Sequence, residues 1–192
     1  GNIPLVGFHD MLCVLLTGNV LCAKLSHSDN VLLQFIAKKL IEIEPEWENQ
    51  IRFVDKLSTS AGAVIATGSN NSAKHFEYYF KDVPHIIRKN RNGIAVLGGR
   101  ETDEELSGLG EDIFTYFGLG CRNVSKLYVP EGYDFASFFK NIQKFADVIN
   151  QHTYANNYNY NRTIYLMDAK VFTDNNFFML TENEAIASPI AV

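Results

Sequence analysis

The chain has 192 residues, 46% of them hydrophobic and 20% charged, with a net charge of −5. That length suffices to bury the core of one or two domains, and the composition excludes a disordered chain. The acidic balance leaves no basic footprint for nucleic acid, and no apolar run approaches the roughly 18 residues a membrane helix needs.

In chain order, PLVGFHDMLCVLLTG carries apolar residues at Leu5, Phe8, Leu12 and Leu15 or Leu16, a helical spacing with Pro4 in the first turn and Gly18 as a stop. Its Cys13, like Cys22 in VLCAKL, is expected to behave as a small hydrophobe. NVLCAKL (19–25) reads as a short strand. Ser28 and Asp29 can cap the next helix, whose apolar face holds Leu32, Leu33, Ile36, Leu40 and Ile41 and which ends by Pro45. IRFVD (51–55) and GAVIATG (62–68) are strand-like runs; NSAKHFEYYF is a helix and IAVLGG (94–99) a buried strand. This alternation predicts an α/β layer with a mainly parallel sheet.

After Gly99 the rhythm restarts. TDEELSGLGEDIFTYFG predicts a helix with an acidic first turn, VSKLYVP (124–130) a strand, and YDFASFFKNIQKFADVIN an amphipathic helix. Its Phe135, Phe138, Phe139 and Phe145 are expected in a core and not along a ligand tunnel. NQHTYANNYNYN, rich in Asn and Tyr, reads as a loop, followed by strands RTIYLMD and NNFFMLT. The abrupt start at Gly1 and stop at SPIAV predict a piece of a longer chain. Three spaced cysteines, with no CxxC pair or disulfide framework, and the lack of a signal peptide at the start predict a reducing, cytoplasmic setting.

Four places carry chemistry. In ATGSNNSAKHF a strand runs through Gly68 and Ser69 into a helix, which is either a phosphate-type cradle or an ordinary capped turn. Lys24 ends a strand at the edge where α/β folds bind ligands, with Ser26 and His27 beyond it; each also reads as a solvated surface group. In GLGCRNVSKLY, Cys121 follows two glycines and precedes Arg122, so it is either a buried structural thiol or a nucleophile whose thiolate is favoured by the cation and the elbow amides. Gly118 and Gly120 allow positive φ and close approach of a substrate. Asn2, ahead of Pro4, is either a helix cap or a donor to an oxyanion.

The order NIP, TGN with Lys24 following, TGS, LGG and then a glycine-flanked Cys resembles the aldehyde dehydrogenase superfamily, whose pattern runs NFP, AGN…KPS, TGS, ELGG, GQ-C. IPLVGFHD, KLS, ATGS, LGGRETDEEL and GLGCRNVSKLYVP are similar to its bacterial acyl-CoA reductase branch, the fatty acyl-CoA reductases that feed aldehyde to luciferase. The resemblance implies a three-layer α/β/α fold with mainly parallel sheets, incomplete at both ends. Residues 1–98 would be the dinucleotide-binding, Rossmann-like part and 99–192 the catalytic part. It further implies Cys121 as nucleophile, with Asn2 and the Cys121 N–H as oxyanion donors. Lys24, Ser26, His27, Gly68, Ser69, Leu97 and Gly98 would lie toward the dinucleotide. The implied reaction is reduction of an acyl-CoA thioester to an aldehyde by NADPH or NADH, in a protein that forms homo-oligomers.

Departures from the pattern refine this. Val96 stands where ELGG has its general base, so an acyl-enzyme is expected to resist water. His27 replaces a glutamate that holds the ribose hydroxyls, which admits NADPH. EAIASP puts Ala185 where the superfamily has a second ribose-binding glutamate. A nucleotide- or acyl-CoA-binding module without turnover, and acyl transfer without reduction, stay open as alternatives.

Overall fold

A computed structural model describes residues 3–27, 29–58, 60–89 and 91–192. It divides at Asn90 into two units, 1–90 and 91–192, each with its own core.

The first unit runs α1 (Phe8–Leu16), β1 (Leu21–Ala23), α2 (Leu32–Ile43), β2 (Ile51–Phe53), β3 (Val64–Thr67), α3 (Asn70–Tyr79) and β4 (His85–Arg88). β1 pairs with β2, and β3 with β4, both in parallel, as strand–helix–strand crossovers dictate. Met11 and Leu15 of α1 and Leu33 and Ala37 of α2 bury with Leu21 and Ile51. In β3, Val64 and Ala66 point inward while Ile65 and Thr67 face out, the two-residue period of a strand. At the end of β4, Arg88 donates through one nitrogen to both carboxylate oxygens of Asp10 in α1, at 2.5 and 2.6 Å. Cys13 and Cys22 are exposed, against expectation. Cys13 turns away from the Met11–Leu15 face of α1, and Cys22 alternates with buried Leu21.

The second unit runs β5 (Gly93–Val96), α4 (Asp103–Phe114), β6 (Val124–Tyr128), α5 (Ala136–Ile142) continued by 3-10 turns over Gln143–Asn150, α6 (His152–Met167), β7 (Thr173–Asp174) and β8 (Met179–Leu180). β5 and β6 are parallel, with Gly93 opposite Val124 and Val96 opposite Tyr128, and α4 is their crossover. The acidic start of α4 closes a capping box in which the Thr102 hydroxyl accepts from the Glu105 N–H and the Glu105 carboxylate accepts from the Thr102 N–H. Leu106, Phe138, Ile142 and Met179 are the largest fully buried side chains. Around them Phe114 stacks on Phe145 at 5.3 Å and meets Phe178 edge-on, so the aromatic face is core, as expected.

The Asn/Tyr segment corrects the sequence reading. The expected loop and the expected strand RTIYLMD together form one helix, α6. Tyr154, Tyr158, Asn161 and Tyr165 are its buried face, a spacing of i, i+4, i+7 and i+11. The asparagines do not break it, because their amides bond carbonyls one turn back: Asn157 to Thr153 at 2.9 Å and Asn161 to Asn157 at 2.8 Å. Among the described residues, no helix is long and apolar enough to cross a membrane.

Candidate active site

Helix α4 ends in an unusual turn. Tyr116, Phe117 and Gly118 all have positive φ, at 54°, 58° and 69°. For the two aromatic residues this left-handed conformation costs roughly 1–2 kcal/mol each, so it persists only if something else holds the turn. Asn123 holds it. Its side-chain amide donates to the carbonyls of Asp112 (2.8 Å), Ile113 (3.2 Å) and Thr115 (2.9 Å), at the end of α4 where carbonyls lack helical partners. Its Oδ1 accepts from the Gly120 N–H at 2.8 Å, and its own N–H donates to the Gly120 carbonyl at 3.1 Å. Cys121 rides on this clasp, exposed, between the turn and β6.

The geometry separates the two glycines of the elbow. Gly118 supplies positive φ, as expected. Gly120 is needed for a different approach from the one expected, since a Cβ there would sit 2.5 Å from Asn123 Oδ1. The tight neighbour is this asparagine.

At the other end of the β5–β6 pair lies LGG. The Leu97 N–H donates to the Tyr128 carbonyl and its side chain is buried in the core. The N–H groups of Gly98 and Gly99 both donate to the Glu101 carboxylate, which also accepts from the Tyr133 hydroxyl at 3.1 Å. Desolvation works to raise the Glu101 pKa, but these donors hold it below the ordinary carboxylate value. Because the strands are parallel, LGG follows the carboxyl end of β5 while Cys121 precedes the amino end of β6. At about 3.3 Å per residue the two lie roughly 15 Å apart along the strands. Leu97 and Gly98 are therefore not brought to Cys121. Val96, 75% exposed, is not in a position from which a carboxylate would reach the thiol. Strand direction thus sets Val96 apart from the thiol, while Leu97 and Gly98 were expected toward the dinucleotide and not at Cys121.

Near the elbow, a 70 Å³ cavity is lined by Asn92, Gly118, Gly120 and Asn123 together with Ser188 and Pro189 of the C-terminal segment. Ser125 and Ser188 pin that segment along β6, Ser125 donating to the Ile186 carbonyl and Ser188 to that of Ser125, both at 3.2 Å. Ala185 lies exposed upstream of them.

The remaining predicted residues belong to the first unit. Lys24, Ser26 and His27 are exposed in the segment that leaves the carboxyl end of β1. Gly68 and Ser69 leave the carboxyl end of β3 and lead into α3. Ser69 is the N-cap, accepting from the Ser72 N–H at 3.1 Å, and the Gly68 N–H donates to the Arg88 carbonyl. Asn2 lies outside the described residues.

A family model for acyl-CoA reductase (LuxC) matches residues 1–144. The chain belongs to that family. No curated protein matches it significantly. Among solved structures, it is similar to an assigned aldehyde dehydrogenase, PutA, from Anabaena variabilis, with 18% identity and a TM-score of 0.72 over 90% of this chain and 42% of that one. An assigned aldehyde dehydrogenase from Burkholderia cenocepacia gives 10% identity and 0.69, over 88% and 42%. An indole-3-acetaldehyde dehydrogenase, AldA, from P. syringae, in complex with NAD+ and IAA, gives 13% and 0.60, over 84% and 38%. The likeness establishes an aldehyde-dehydrogenase-like α/β fold, and the chain spans about two fifths of the length of these structures.

Within this acyl-CoA reductase family member, sequence reasoning missed Asn123 and Glu101. Each anchors a glycine-containing turn by taking its amide N–H groups. Glu101 was within reach of local reading, since a carboxylate two or three residues after a glycine pair can accept from its amides. For Asn123 the same holds of Gly120, three residues away, but not of the helix-end carbonyls, which lie 8 to 11 residues earlier in the chain.

Proposed function

We propose that this chain carries the nucleophile and dinucleotide-contacting segments of an enzyme that reduces a fatty acyl-CoA thioester to an aldehyde through an S-acyl-cysteine. The observation that carries the reading is an exposed Cys121 on a clasped turn, in a chain of the acyl-CoA reductase family. The Cys121 thiolate attacks the thioester carbonyl carbon, and the carbon–oxygen π electrons move onto oxygen. The Cys121 N–H is the backbone donor to that oxyanion, and Asn2 is its proposed side-chain partner. Collapse breaks the carbon–sulfur bond to coenzyme A, which leaves as a thiolate, and the acyl group stays on Cys121.

The first unit fits a nicotinamide dinucleotide in the kind of groups it offers: a lysine beyond β1, and a serine hydroxyl with the α3 N-terminus beyond β3. Lys24, Ser26, His27, Gly68 and Ser69 would hold it. When bound, the dinucleotide, NADPH or NADH, supplies the hydride that takes the acyl carbon to the aldehyde level. The oxyanion donors serve again as Cys121 thiolate leaves the hemithioacetal and aldehyde is released.

Intact-mass measurement after incubation with long-chain acyl-CoA tests this. One acyl group should add to the protein and map to Cys121, and NAD(P)H oxidation should require it. Cys121→Ala and Cys121→Ser should take up none; acyl transfer to cysteine in either variant overturns the assignment. Binding without acylation would support a non-catalytic module, and acylation without cofactor use would support acyl transfer.

A further inference from the structure

We propose that Asn123 is a positioning residue for the nucleophile, fixing the direction of the Cys121 N–H so that it meets the oxyanion formed during acylation. This rests on the acyl-cysteine reading above. Asn123 binds both polar groups of Gly120: its Oδ1 accepts from the Gly120 N–H and its backbone N–H donates to the Gly120 carbonyl. The peptide bond that follows Gly120 is trans, so the Cys121 N–H points opposite to the Gly120 carbonyl. By fixing the Gly120 N–H, the Asn123 side chain sets where its own backbone N–H meets that carbonyl, and so aims the Cys121 amide. The other half of the clasp, from Nδ2 to the carbonyls of Asp112, Ile113 and Thr115, ties Gly120 to the end of α4, so the aim is set against a helix.

Residue chemistry makes asparagine hard to replace. The site asks for an acceptor toward Gly120 and a two-hydrogen donor toward the helix end from one short side chain. Aspartate keeps the acceptor and loses the donors. Alanine loses both. Neither change touches the thiol, and Cys121 is already exposed. A misaimed amide should thus slow reactions that build an oxyanion and leave reactions that do not.

The test compares two reagents on the intact protein. Acylation by a long-chain acyl-CoA is followed in single turnovers, and alkylation by iodoacetamide, which forms no oxyanion, serves as the reference. Asn123→Ala should lower the saturating acylation rate about 10²–10³-fold, and Asn123→Asp at least about tenfold. The half-saturating acyl-CoA concentration and the alkylation rate should each stay within about threefold of wild type. In glycine-labelled protein, the Gly120 amide should lose its exchange protection in Asn123→Ala.

Wild-type acylation rates in either folded variant would overturn the proposal, as would equal slowing of acylation and alkylation. If Asn123→Ala does not fold, Asn123→Asp carries the comparison; if neither folds, Asn123 is a stability residue and the assignment falls. A wild-type protein that takes no acyl group on Cys121 removes the acyl-cysteine reading itself, an outcome visible before any variant is made.

Discussion

Val96 shows how strand direction decides a residue's role. A missing carboxylate there would explain a water-resistant acyl-enzyme only if position 96 faced the thiol, but it ends a strand whose other end lies near Cys121. Val96→Glu should therefore leave hydrolysis of an acyl-cysteine unchanged, with the released fatty acid measured against wild type. A rise of about 10² or more would restore the general-base reading, since that is the typical yield of a positioned base. The positive φ of Gly118 was legible in GLGCRN itself, whereas the same stretch left Cys121 open between a buried thiol and an exposed nucleophile. The tie from Asn123 to the end of α4 was not legible, because turn chemistry sees only near neighbours and those carbonyls lie 8 to 11 residues earlier.

Helix α6 was misread because composition outweighed spacing. Its tyrosines fall at helical intervals, but asparagine clusters favour turns when nothing is known of the surroundings. The burial of Tyr154 and Tyr158 in the second unit's core, and of Tyr165 beside Phe172, overrides that preference. One polar knot secures the junction with β7: Asp174 accepts from the Tyr158 hydroxyl and the Arg162 guanidinium, each at 2.7 Å. Desolvation works to raise the Asp174 pKa, yet Tyr158, Arg162 and the Asn176 N–H hold it below its ordinary value. Burial, and then the Asp174 carboxylate, push the Tyr158 hydroxyl up to about 12.

A depressed carboxylate adds stability above its unfolded pKa of about 3.9 and loses it as pH falls through the folded value; the raised tyrosine loses its share only as pH climbs from about 10 toward 12. Asp174→Asn should cost about 1.5–3 kcal/mol near neutrality, since it removes hydrogen bonds to a charged group. The difference from wild type should shrink below about pH 4, which denaturant titrations across pH would measure.

Across the molecule, the alternation of strands and helices was enough to read an α/β chain with parallel pairing, and three of the four strand pairs described are parallel. The strand β4 escaped notice because HIIRKN is short and charged at its end. The two units carry different halves of the proposed chemistry, and each has its own stability probe. The single tryptophan, Trp47, packs in the first unit, so its fluorescence reports that unit alone. Phe138, fully buried among Phe135, Phe139 and Phe178, anchors the second. Phe138→Ala should cost about 3–5 kcal/mol there through lost contacts and the cavity left behind. Far-ultraviolet circular dichroism in denaturant should show the lowered midpoint.

The clasp at Asn123 also has a temporal meaning. The residues it joins are the end of a helix and the turn that leads into the strand beyond it, so it closes only once the end of α4 has formed. A nascent chain would present the same thiol to acyl thioesters and oxidants, but on a loose loop with an unaimed amide. Competence to take an acyl group would thus arrive with the native fold, while reactions that build no oxyanion would meet the thiol at any stage.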